Sequence, residues 1–251
     1  MRSSLPAAGY WVPAKDPLDV AAALRFLRGL KKHNERAWFH EHHAEWERVR
    51  HGWEDVVTML VLAGARHDDR LRRAEPKRCL FRLANDTRFH KDRLPYKTHL
   101  SAWMSPGGKS GAFAGYYCHL APGRVHFSAG IYVPEKHALQ ALRAAFAEDG
   151  RRARAFDRIL GARPLRAYSL ETEPLRVTPR GFPKDHPRTP LIRARNYLIE
   201  RDFPERDVVA RGAFALFRDA MRDAAPFVRW IDEVAVTGVP QREPDDDELF
   251  F

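Results

Sequence analysis

Hydrophobic spacing changes period partway along the chain, and this change limits the possible folds more than any other feature. From residue 20 to residue 60, large side chains recur at steps of three and four: Val20, Leu24, Leu27 and Leu30, then Trp38, His42, Trp46, Val49, Trp53, Val56 and Leu60. That is the period of helices with one apolar face. From residue 113 to residue 133 the period drops to two. Phe113–Leu120 and Arg124–Val133 read as a hairpin turned by Pro122-Gly123, with Val125, Phe127, Ala129 and Ile131 on one side of the second strand. Helical spacing then returns over 135–148, 151–160 and 207–222. Helices before and after a hairpin-built sheet predict an α+β fold, in which an antiparallel sheet has one face covered by helices.

Local signals refine this reading. Asp16 suits a helix cap, with Pro17 in the first turn and Asp19 near the positive end of the helix dipole. Asn34 suits the cap of a second helix, which Gly52 could bend, and its tryptophans read most simply as core. Cys79, Phe81 and Leu83 alternate with Arg78 and Arg82, which predicts a strand. Segments 165–178 and 190–193, punctuated by prolines, read as extended or irregular, and Pro226 reads as opening a last short helix. Residues 1–15 resemble an irregular arm and 238–251 an acidic tail around one α+β domain over 16–237, without internal repeats.

Composition excludes several classes. No apolar run approaches the ~20 residues needed to cross a bilayer, and no signal-peptide pattern is present, so a cytoplasmic protein without membrane partners is expected. Two cysteines, Cys79 and Cys118, imply neither a disulfide framework nor a thiolate zinc site. The formal net charge of +10 favours anionic partners, either a phosphate-bearing small molecule or nucleic acid. His40, His42 and His43 lack H-E-x-x-H spacing, so no metal site is indicated, no pattern specifies a cofactor, and nothing fixes an oligomeric state. Gly107-Gly108-Lys109-Ser110 lacks the rest of a phosphate-binding loop and reads as a turn.

Chemistry concentrates in residues 85–99. Arg88, Lys91 and Lys97 offer donors matched to phosphate or carboxylate oxygens, Asp86 can orient Arg88, and Pro95 stiffens the corner before Tyr96. Arg78 and Arg82 precede it, and the polar hairpin face adds His126, Ser128 and Tyr132. A second polar cluster, Arg180, Lys184, Asp185 and His186, is bracketed by Pro179, Pro183 and Pro187. Asp92 and His186 are the candidate acid/base residues. Arg78, Arg82, Asp86, Arg88, Lys91, Tyr96, Lys97, His126, Tyr132 and Arg180 are the candidate ligand contacts. The competing reading of 85–99 is an ion-pair network that pins a loop to the sheet.

The pattern D-x-R-F-x-x-D-x-x-P-Y-K-T-H at Asp86–His99 resembles the hallmark of the family called domain of unknown function 2461. Asn34…Trp38-Phe39 resembles that family's N-x-x-x-W-F, and Pro179-Arg180-Gly181-Phe182 with Asp185-His186-Pro187 resembles its later P-x-G-F…D-H-P. The resemblance spans roughly 18–235 and implies one compact domain, but no activity or residue role. The residues themselves support a pocket for an anionic ligand, phosphate or nucleotide, with enzymatic chemistry left open. The alternatives are a nucleic-acid-binding module and a non-catalytic scaffold.

Overall fold

The computed structural model describes residues 16–86, 94–110 and 113–236. Among these the helices are α1 Val20–Lys32, α2 Arg36–Glu41, α3 His43–Gly64, α4 Pro76–Cys79, α5 Lys136–Glu148, α6 Arg151–Leu160, α7 Thr189–Ile192, α8 Glu205–Arg211 and α9 Ala213–Val236. The strands are β1 Leu100–Met104, β2 Gly115–Ala121, β3 Arg124–Ile131, β4 Ser169–Glu171 and β5 Tyr197–Phe203, forming one antiparallel sheet of order β1-β2-β3-β5-β4. The α+β class and the hairpin are as expected. The chain divides into two compact units: 16–86, 94–109, 117–127 and 202–222, and then 110, 113–116, 128–201 and 223–236.

The first unit is built on the apolar stripes of α1 and α3. Leu24, Phe26, Leu27 and Leu30 are buried on α1, and Val49, Trp53, Val56, Val57 and Leu60 on α3. Trp53 packs edge-on against Phe217 at the start of α9. The α1 cap is Asp19, which accepts from the Ala22 N–H, and not Asp16. Asp16 instead accepts from the N–H groups of Leu18 (3.0 Å) and Phe214 (2.7 Å), joining the start of α1 to the start of α9. Gly212 makes this junction possible. Its φ is +84°, and a Cβ there would lie 2.4 Å from Asp16 Oδ2.

The expected single helix from residue 34 is two. Glu35 is the N-terminal flank of α2, and the break falls at His42, whose ring stacks on Trp38 at 3.9 Å, while Gly52 lies inside an unbroken α3. The strand expected at 78–83 is also corrected. Arg78 and Cys79 end the short helix α4, Leu80 makes one bridge to Ala102, and Phe81 is exposed. The alternation there comes from a helical turn running into a single bridge, not from a pleated strand.

The second unit centres on aromatic packing. Phe146 meets Phe156 (4.9 Å), Tyr197 and Trp230 (both 5.5 Å). Buried Arg143 donates to the Ala194 carbonyl, and Tyr197 to the Leu191 carbonyl. Arg188 ties Asp149 and Asp157 together at 2.5 Å each. Gly130, at φ +133°, brings its backbone against the Tyr197 carbonyl, where a Cβ would clash at 2.1 Å. β4 falls within the stretch read as extended. Pro226 does not open a helix but sits inside α9. Phe217 and Met221 before it and Phe227, Val228 and Ile231 after it are all buried, and their burial outweighs the missing backbone bond.

Candidate functional site

The site belongs to the first unit and begins with a backbone clamp. The Asn34 side chain accepts from the Tyr96 N–H (3.0 Å) and donates to the Tyr96 carbonyl (2.9 Å). Two paired arms present Tyr96 to it. Asn85 N–H donates to the Pro95 carbonyl, Lys97 N–H to the Leu83 carbonyl, and Ala84 bridges Tyr96. The Tyr96 ring then stacks on Phe39 of α2, with centroids 4.2 Å apart and planes 17° apart. The two stretches N-x-x-x-W-F and P-Y-K-T-H, 62 residues apart, therefore meet.

Beside the clamp lies an open cleft of about 730 Å³. One contributor is α3: Trp46, Arg50, Trp53 and Glu54 fall at helical steps and face it together. Trp46 is half-buried and stacks on Phe26 at 5.8 Å. Trp53 is buried, and its indole N–H has no acceptor among the described residues. Arg50 is held by both oxygens of Glu47 and by Glu54, so its charge is already answered.

The other contributor is cationic: Lys77 and Arg78 on α4, Arg82 after it, and Lys109 after β1. Arg78 has only a loose ion pair, 3.9 Å from Glu75, with both side chains about two-thirds exposed. Lys77, Arg82 and Lys109 have no carboxylate partner among the described residues. Gly108 sets Lys109 beside Arg78. Its φ is +64°, Ser105 Oγ donates to its carbonyl, and a Cβ there would lie 2.7 Å from the Arg78 carbonyl oxygen. Lys97 stands at the margin, donating to the Arg82 carbonyl and lying 5.7 Å over the Phe81 ring.

His99 closes the cleft on the sheet side and continues into a chain of titratable groups. Its ring stacks on His119 at 4.4 Å, Tyr117 Oη lies 3.2 Å from His119 Nδ1, and His126 Nδ1 donates to Asp202 at 2.7 Å. Burial, then His99 and Arg124, push His119 down to about 3, while burial, then Lys97 and Arg124, lower His99. Both rings are neutral at pH 7, and their burial makes each a weaker base than a free imidazole. Burial raises Cys79 to about 11, so that thiol is inert.

Set against the sequence reading, Arg78, Arg82 and Tyr96 line the cleft and Lys97 adjoins it. Asp86 is exposed beside Asn85. Arg88, Lys91 and Asp92 lie outside the described residues. His126 and Ser128 are corrected from an open polar face to burial, because β3 is covered on both sides from Val125 to Ile131. Tyr132, 59% exposed, Arg180 and His186 belong to the second unit. There, His186 Nδ1 accepts from the Arg188 N–H and its backbone is held by Thr189. Trp53 is buried as expected while also bordering the cleft, whereas Trp46, expected as core, is only half-buried and lines the cleft. The sequence reading also passed over Phe39, Lys77, His99 and Lys109. The signal for Lys109 was the Gly107-Gly108-Lys109-Ser110 turn itself. No group of three or more His, Cys, Asp or Glu among the described residues is placed to hold a metal.

Fold and cleft thus define an α+β protein with an aromatic and cationic recess, and no helix among the described residues is long and apolar enough to cross a membrane. The chain belongs to the family described as conserved hypothetical protein DUF2461, whose model matches residues 22–230. No curated protein and no solved structure matches it.

Proposed function

We propose that the cleft of the first unit binds a phosphate-bearing small molecule. The carrying observation is the charge of its lining. Lys77, Arg78, Arg82 and Lys109 converge on it, while the one carboxylate among the described lining residues, Glu54, is already bonded to Arg50. Three of these cations have no carboxylate partner among the described residues and Arg78 has only a loose one, and cations so arranged around a recess of this size are what anion binding needs. His99, neutral and in the same wall, offers a hydrogen-bonding ring beside the cations without adding a carboxylate to oppose an anion.

Thermal shift with inorganic pyrophosphate and ribose 5-phosphate tests the proposal. At millimolar ligand the protein should melt several degrees higher, and the double variant Arg82→Gln/Lys109→Gln should lose most of that shift. A parent that gains nothing, or a variant that gains as much as the parent, would remove the cleft as the binding site.

A further inference from the structure

The cleft is more than a cationic recess. Five of the sixteen described residues that line it are aromatic, in a chain that is 11% aromatic, so the enrichment belongs to the site. The aromatic side chains come mainly from α2, α3 and the Tyr96 corner, and the cations, Arg50 aside, from 77–82 and 109, so the two chemistries enter from different elements. Two of the rings are fixed before any ligand arrives. Tyr96 is clamped through its backbone by Asn34 and stacked on Phe39, and Trp46 is backed by Phe26. A rigid, half-exposed indole costs little further ordering when another ring lies on it.

The polar lining argues in the same direction. Glu54 is committed to Arg50 while Leu80, Leu83 and Leu100 fill much of the remaining wall, so a sugar phosphate alone would leave the apolar part of the lining unused. A bare phosphate would use the cations and leave the aromatic wall unused. A flat heteroaromatic ring joined to a phosphate uses both, since base-on-aromatic stacking needs only a π face and tolerates different bases.

We infer that the ligand of this cleft is a nucleoside phosphate, its base seated on the Trp46–Tyr96 side and its phosphate on Arg78, Arg82 and Lys109. This rests on the anion-binding reading above and adds the substrate class to it.

Calorimetric titration with AMP, ribose 5-phosphate and pyrophosphate, alongside tryptophan fluorescence, separates the two readings. AMP should bind at least about tenfold more tightly than ribose 5-phosphate and quench the indole emission. Tyr96→Leu should bring AMP within about twofold of ribose 5-phosphate and leave ribose 5-phosphate unchanged. This variant keeps the Asn34 bonds because they are made to the Tyr96 backbone. Trp46→Leu should act in the same way, and melting curves of both variants confirm that each is folded. If ribose 5-phosphate and pyrophosphate bind the parent as tightly as AMP, or the AMP preference survives both substitutions, the nucleoside inference falls and the anion site stands. If none of the three binds, both readings fall.

Discussion

At the scale of single residues, Asn34 does the most with the fewest atoms. One amide meets both backbone groups of Tyr96, so its removal strands a donor and an acceptor in a half-buried place. Asn34→Ala should cost about 2 kcal/mol in urea denaturation. Asn34→Asp, which keeps the acceptor and loses the donor, should fall between the variant and the parent. His119 sets the response to acid. A free histidine titrates near 6.5, but in the fold burial, then His99 and Arg124, push His119 down to about 3. Below pH 6.5 the unfolded chain binds a proton that the folded chain refuses, so stability is full above 6.5 and falls as pH drops toward 3. The slope is at most about 1.4 kcal/mol per pH unit, and less because the ring is partly hydrated. Urea midpoints at pH 7, 6 and 5 should show this loss, and His119→Leu should flatten it. An unchanged slope in the variant would place the acid sensitivity elsewhere.

At the scale of elements, the joints carry the strain. Gly212 separates α8 from α9 at φ +84° against Asp16, so Gly212→Ala should destabilise by about 1–3 kcal/mol through conformation and crowding together. Pro226 works in the opposite direction. It is exposed inside α9, where its ring removes one helical bond. Pro226→Ala should therefore raise stability by about 1–3 kcal/mol. These joints also show where sequence pattern reaches its limit. The stripes of α1 and α3 and the β2–β3 hairpin were legible because one periodic face meets one core. β5 was missed because Tyr197, Leu198 and Ile199 are all buried and the following Glu200-Arg201-Asp202 is polar, so the strand never alternates. Residues 78–83 alternated without being a strand, because the spacing of Cys79 and Leu83 satisfies a helical turn and a bridge equally well. At the site, Arg78, Arg82 and Tyr96 were legible as unusual chemistry near a stiff corner. Trp46 was not, since an aromatic stripe looks the same whether it meets a core or a cleft wall.

At the scale of the molecule, a formal charge of +10 draws any polyanion, but a surface field does not choose among them. Selection requires cations gathered on one recess without carboxylates to answer them among the described residues, which the lining of the cleft supplies at Lys77, Arg82 and Lys109. The two explanations separate under one substitution set, because removing three charges from the rim leaves most of the surface field intact. Calorimetric titration of pyrophosphate into the parent and into Arg78→Gln/Arg82→Gln/Lys109→Gln, at 50 and 200 mM salt, measures this directly. The account predicts saturable binding to the parent at both salts and a loss of at least tenfold in the variant at both. Equal affinity in parent and variant, disappearing together at 200 mM salt, would assign the binding to the general basic surface and contradict it.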